Sequence, residues 1–231
     1  MLCLPHAGGS ASFYYPVSRA LAPAVEVLAA QYPGRQDRRH EPLIGNVPEL
    51  TDQIVAAVEA TVDRPLAVFG HSMGATLGFE VVRRLEAAGM PVSVLFVSGR
   101  RAPSTLREEP DYRQYTDADI IRELRSLNGT EGNLLDDDET VQVILPSVRN
   151  DYLVIRDYRF VPGPPLRCPV VALNGQDDPK VTAAEAEAWH EHTSGAFDLR
   201  VFPGGHFYLV SQAAAVIDTV ASHLGVPAPT S

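Results

Sequence analysis

Apolar residues in this chain gather into short continuous runs. The segments 66–70 (LAVFG), 92–98 (VSVLFVS) and 168–174 (CPVVALN) are apolar almost throughout. A strand with one wet face would alternate, so continuous apolarity marks strands covered on both sides, as in a parallel sheet between two helical layers. Residues 2–4 read as the tail of another strand, 25–31 as a full one and 197–202 as the last. Between the runs, segments 47–62, 73–88, 183–193 and 211–224 carry apolar residues at helical spacing. Asn46 is placed to cap the first of these helices, Glu49 sits in its first turn, and Gly89 reads as the stop of the second. Strand and helix in alternation predict βαβ units and a doubly wound, mostly parallel α/β sheet.

The alternation lapses between about residues 103 and 165. Segments 117–127 and 136–160 are both helical in pattern with no strand between them, and Pro146 should end or kink the second. An all-helical insertion of this length between two sheet strands reads as a lid on a single domain spanning 1–231. The last residues, 225–231, read as a frayed end.

Charge narrows the function. The 231 residues carry 19 basic and 29 acidic side chains, a formal net charge of −10. Such a chain lacks the basic face that a nucleic-acid backbone demands and is not drawn to an anionic membrane surface. No apolar run approaches the roughly 18 residues of a membrane span, and the N-terminus lacks the basic flank and long apolar stretch of a secretion signal. A cytoplasmic protein is expected, with Cys3 and Cys168 as free buried thiols. All but one of the basic residues are arginine, Lys180 being the exception, so an arginine cluster alone says little.

Candidate chemistry sits where three apolar runs end. Gly70-His71-Ser72-Met73-Gly74 follows LAVFG and opens a helix, in the pattern G-x-S-x-G. A serine on a tight strand-to-helix turn needs small residues two positions away, because backbone passes close on both sides. Its hydroxyl then stands above the sheet, and the next amide points at a developing oxyanion. Asp177 and Asp178 follow CPVVALN, and His206 follows the last strand, giving the chain order serine, acid, histidine. Pro179 holds Asp178 extended, which favours Asp178 modestly over its neighbour. His40, His190, His192 and His223 lie in a loop or on helices, and His71 is too near Ser72 to face its hydroxyl. The glycine-rich loop Pro5-His6-Ala7-Gly8-Gly9 can bring a second amide, that of Ala7, to the oxyanion alongside Met73. His190 and His192 lie on different helix faces, the cysteines are far apart, and no glycine-rich phosphate loop is present. No metal or cofactor is expected.

Taken together, LCLPHAGGSASFYYP, QYPGRQDRRHEP (31–42), GHSMGA (70–75), SGRRAPS (98–104) and FPGGHFYLV (202–210) resemble the stand-alone type II thioesterases of polyketide and nonribosomal peptide synthesis. The resemblance covers nearly the whole chain. It implies an α/β-hydrolase fold with a helical lid and hydrolysis of aberrant acyl groups from the phosphopantetheine arm of acyl or peptidyl carrier proteins. Carried over by motif, the nucleophile is Ser72, the histidine His206 and the acid Asp178, with oxyanion amides at Ala7 and Met73. Members usually carry further residues before LCLPHAGG, so the first strand is expected to be short here. A same-triad carboxylester hydrolase, an integrated chain-releasing domain and a non-catalytic module of the same fold are the competing readings. An acidic enzyme meeting an acidic carrier needs a local basic patch, for which Arg35, Arg38, Arg39, Arg100 and Arg101 are the candidates.

Overall fold

The computed structural model describes residues 1–105, 107–127 and 138–227. Its strands are β1 (Leu2–Leu4), β2 (Leu28–Ala29), β3 (Leu66–His71), β4 (Val92–Ser98), β5 (Val170–Gly175) and β6 (Phe197–Phe202). Helices α1 (Tyr15–Leu21), α2 (Val47–Thr61) and α3 (Met73–Ala87) precede the insertion, which holds α4 (Asp117–Ser126) and α5 (Asp138–Asp157). Helices α6 (Ala183–Glu187), α7 (Tyr208–Ser211) and α8 (Ala213–Leu224) complete the chain. The strands form one parallel sheet in the order β2-β1-β3-β4-β5-β6.

The sheet explains its own sequence pattern. Leu4, Val68, Leu95, Val170 and Ala172 pack with Leu50 and Ile54 of α2 and Leu77, Val81 and Leu85 of α3. The alternate positions Cys3, Phe69, Phe96, Val171 and Leu173 meet Leu21 of α1 and Val216, Ile217 and Val220 of α8 on the other face. In the inner strands odd and even positions each find a helical layer, so β3, β4 and β5 are apolar through most of their length. Both cysteines are free and buried, and that burial pushes each thiol up to about 12. Among the described residues, no helix is long and apolar enough to cross a membrane.

Several local expectations are corrected. The strand expected over 25–31 forms only at Leu28–Ala29, because three-residue β1 offers it pairing only at Leu2 and Cys3. Helix α1, begun by Pro16 in its first turn, had no counterpart in the sequence reading. The helix expected over 183–193 tightens to a 3₁₀ turn at Ala188–His192, and that expected over 211–224 divides into α7 and α8. Of the two outcomes expected at Pro146, an end or a kink, the end does not occur: helix α5 runs on through it. Leu145 and Val148 on either side of it pack with Ile120 and Leu124 of α4, which offsets the roughly 3 kcal/mol that an interior proline costs through its missing hydrogen bond and its ring's clash with the preceding turn. Two positions of the expected 136–160 helix, and residues 228–231 of the tail, lie outside the described residues.

Chain direction reverses in the sheet between β1 and β3. From β1 the chain moves outward to β2, then returns past β1 to β3 and continues to β6. The crevice beyond the carboxyl ends of β1 and β3 is therefore the topological switch point, where open α/β sheets receive ligands. Here α3 sits hard against β1. A Cβ on Gly74 would lie 1.9 Å from the Leu4 carbonyl oxygen, and one on Gly70 would lie 2.0 Å from the Gly74 oxygen. No side chain fits at either position.

This close contact predicts that Gly74→Ala destabilises the fold by about 3 kcal/mol or more, since backbone on both sides cannot yield. Gly45→Ala, with nothing within 4 Å of its Cβ, should change stability by less than about 0.5 kcal/mol. Urea denaturation of the two variants checks the contrast.

Candidate active site

Ser72 occupies the turn between β3 and α3 with φ 54° and ψ −114°, a left-handed conformation that a serine adopts only under constraint. Its amide donates to the Ser98 carbonyl at the end of β4 (2.8 Å), tying the turn to the neighbouring strand. The hydroxyl meets His206 Nε2 at 3.1 Å. His206 Nδ1 lies 2.8 Å from Asp178 Oδ2, with both side chains nearly sealed from solvent. The other carboxylate oxygen of Asp178 accepts the Lys180 amide (2.8 Å), so that carboxylate is held from two sides.

The loops after β5 and β6 bring acid and histidine together. A Cβ on Gly175 would stand 2.2 Å from the Gly205 oxygen, so the two loops run backbone against backbone. The Asp177 amide donates to the Gly204 carbonyl (2.9 Å). Asp177 itself is exposed while Asp178 is buried against His206. This loop contact favours the residue that Pro179 favoured only modestly, Asp178.

Ala7 and Met73 lie where the ends of β1 and β3 converge. Met73 is the first residue of α3, where an amide has no intrahelical acceptor, and Gly74 beside it packs on the Leu4 and Pro5 carbonyls. Ala7 is in the turn that follows, closed by the Gly9 amide donating to the His6 carbonyl (2.9 Å). With two amides, a serine and an imidazole around one crevice, the arrangement can bind a carbonyl, attack it and stabilise the oxyanion that results.

Other groups around the site were not found by sequence reasoning. His71 is fully buried, its Nδ1 2.9 Å from Ser98 Oγ, which is 2.7 Å from the Tyr208 hydroxyl. His6 packs edge-on against Phe13 and Phe207, each ring centroid 4.8 Å away. Burial holds His71 well below the ordinary histidine range and lowers His6 to about 3, with His206 adding repulsion in both cases. Among the described residues, no group of three or more His, Cys, Asp or Glu side chains is placed to hold a metal ion.

The arginines divide. Arg35 is 7% exposed and forms a two-pronged ion pair with Asp151 of α5 (2.8 and 3.0 Å). Arg101 is also buried and hydrogen-bonds Glu109. Neither can meet a partner's surface, which corrects the expectation that they belong to a docking patch. Arg100, close to the same glutamate (3.9 Å), lines a cavity of about 510 Å³ with Arg101; burial and its neighbour lower its pKa to about 10. Arg38 holds Glu41 (2.8 Å) and the Gln31 carbonyl (2.7 Å) at the surface, and Arg39 is exposed.

A parallel sheet with serine, acid and histidine beyond the carboxyl ends of β3, β5 and β6, the serine on a strained strand–helix turn, defines an α/β hydrolase. Comparison makes this specific: the family model for the thioesterase domain matches residues 1–224, and the chain belongs to that family. It is 46% identical over 224 residues to a probable cadicidin biosynthesis thioesterase of Streptomyces griseus, covering 97% of this chain and 62% of that protein. Identity is also 46% over 226 residues to thioesterase PikA5 of Streptomyces venezuelae, covering 97% of this chain and 80% of the relative. The solved type II thioesterase BorB, from the borrelidin biosynthetic cluster, superposes with a TM-score of 0.92 at 51% identity, covering 96% of this chain and 91% of that one.

The two neutral histidines make stability depend on acidity. Their folded-state pKa values lie below the ordinary 6.5, so below that pH the unfolded chain binds protons that the folded chain does not, and stability falls. From pH 7 to pH 5 each contributes a loss of up to about 2 kcal/mol. His6→Phe keeps the ring contacts and should flatten the decline by that amount, as read from urea midpoints at the two pH values.

Proposed function

We propose that this protein is a serine thioesterase acting in trans on a polyketide or nonribosomal peptide synthase, removing aberrant or stalled acyl groups from the phosphopantetheine arm of acyl or peptidyl carrier proteins. The observation that carries the reading is the hydrogen-bonded chain from Ser72 through His206 to Asp178, in a member of the thioesterase family. The biosynthetic settings of its relatives, cadicidin and borrelidin among them, support this reading. A cytoplasmic location accords with this reading.

In the mechanism, His206 Nε2 takes the Ser72 proton as Oγ attacks the thioester carbonyl. Asp178 holds the Nδ1–H tautomer and stabilises the imidazolium. The tetrahedral oxyanion is received by the Ala7 and Met73 amides. Collapse breaks the C–S bond, and the pantetheine thiol leaves with the proton from His206. Water then attacks the acyl-serine, gives its proton to His206, and releases the acid as Oγ recovers that proton. Helices α4 and α5 serve as the lid, and the half-buried Arg38 and exposed Arg39 are what remains of a patch for the carrier.

Intact mass spectrometry of an acyl-carrier protein tests the reading. Loss of the acyl mass with retention of the phosphopantetheine arm is expected, and Ser72→Ala should slow it by several orders of magnitude. Hydrolysis of matched oxygen esters with thioesters untouched would make the enzyme a carboxylesterase. Asp178→Asn should lose most activity, by up to about 10⁴-fold, while Asp177→Asn keeps it; the reverse ranking in steady-state kinetics would overturn the acid assignment. Arg39→Glu should lower kcat/KM for acyl-carrier protein in a salt-dependent way and leave a short acyl-pantetheine thioester unaffected. Equal losses on both substrates would remove Arg39 from carrier recognition.

A further inference from the structure

We propose that Asp151 and Arg35 are positioning residues that hold the Ala7 amide in place for the oxyanion, so that the docking of α5 sets the geometry of the site. The inference rests on the reading of Ala7 as an oxyanion donor.

The Ala7 amide shares a rigid peptide plane with the His6 carbonyl. That carbonyl accepts the Gly9 amide at 2.9 Å, closing a four-residue turn. The third turn position, Gly8, has φ +72°, as a type II turn requires. The orientation of the Ala7 N–H therefore depends on how Gly8 and Gly9 are held. Both are held by the same buried pair. Asp151 Oδ2 accepts the Gly8 amide at 2.8 Å, and Arg35 Nη1 donates to the Gly9 carbonyl at 3.1 Å. Each Asp151 oxygen also takes one Arg35 prong, and Oδ1 has a longer contact from Asn150 Nδ2 (3.4 Å). One turn earlier on α5, Val148 leaves no room for a side chain at Gly8, where a Cβ would lie 2.4 Å from Val148 Cγ2.

Stability alone does not account for such a pair. Asp151 is 1% exposed and Arg35 is 7% exposed, and the desolvation of two buried charges commonly cancels their attraction. What the pair does supply is direction. It joins three segments far apart in sequence: the turn after β1, the loop after β2 and the inserted helix α5. If α5 lifts, the Gly8 amide loses its acceptor and the turn is released.

The test uses Asp151→Asn and Arg35→Lys with a short acyl-pantetheine thioester, which needs no carrier contact. A trifluoromethyl ketone of the same acyl chain, whose adduct with serine places an oxyanion between the two amides, serves as the second probe. Positioning predicts that kcat falls roughly 10- to 100-fold, since a displaced oxyanion donor costs less than the 10²–10³ of a deleted one. KM should stay within about two-fold, and ketone affinity should fall in proportion to kcat/KM. Arg35→Lys keeps the buried charge but cannot hold Asp151 with two prongs and Gly9 at once, so it should fold and still lose kcat. If Asp151→Asn does not fold, this variant decides the matter. Folded variants with unchanged kcat and ketone affinity would overturn the positioning role and leave the thioesterase reading intact. A wild-type enzyme that hydrolyses no thioester would instead overturn that reading.

Discussion

Everything at this site depends on how closely helix α3 approaches strand β1. The two meet backbone to backbone, with space for no more than a hydrogen at Gly74 opposite the Leu4 carbonyl. That approach forces the reversal at Ser72 into a left-handed conformation, which lifts its hydroxyl out of the sheet toward His206. It also puts the first amide of α3 beside the turn after β1, so the placement of Ser72 and of the two amides proposed for the oxyanion follows from one contact. Some conformational strain is retained at Ser72, of order 1–3 kcal/mol. The buried layers on both sheet faces sustain it.

A similar economy governs acid and histidine. They lie 28 positions apart in sequence, and the loops that carry them touch through glycine backbone at Gly175 and Gly205. Charge near the site is arranged by enclosure. Two of the arginines expected at the surface are turned inward onto carboxylates, Arg35 onto Asp151 and Arg101 onto Glu109. In a chain whose net charge is −10, these two inward cations tie loops to buried or half-buried carboxylates and add nothing to an exposed patch.

What could be read from the sequence follows from which interactions are local. The strands β3, β4 and β5 announce themselves because both faces are buried, and Ser72 announces itself because its turn needs glycines two positions away on each side. Asp178 was only modestly separable from Asp177, since the contact that buries one of them comes from the loop after β6. The Arg35–Asp151 pair was invisible for the same reason, at a separation of 116 positions. One signal was present: Asp151 interrupts an apolar stripe that runs through Val141, Leu145, Val148 and Val154 of α5, and an acid on such a stripe demands a partner. At Pro146 local chemistry opposes a helix, and the packing of Leu145 and Val148 against α4 lets α5 continue through it.

The central claim is that the turn after β3 presents Ser72 as a nucleophile driven by His206. It is tested most directly by fluorophosphonate labelling followed by peptide mass spectrometry, compared between the wild-type protein and His206→Ala. The account predicts a single adduct, on Ser72, formed at least about 100-fold more slowly when the imidazole is absent. An adduct on another residue, or a Ser72 adduct formed at the same rate without His206, would contradict it.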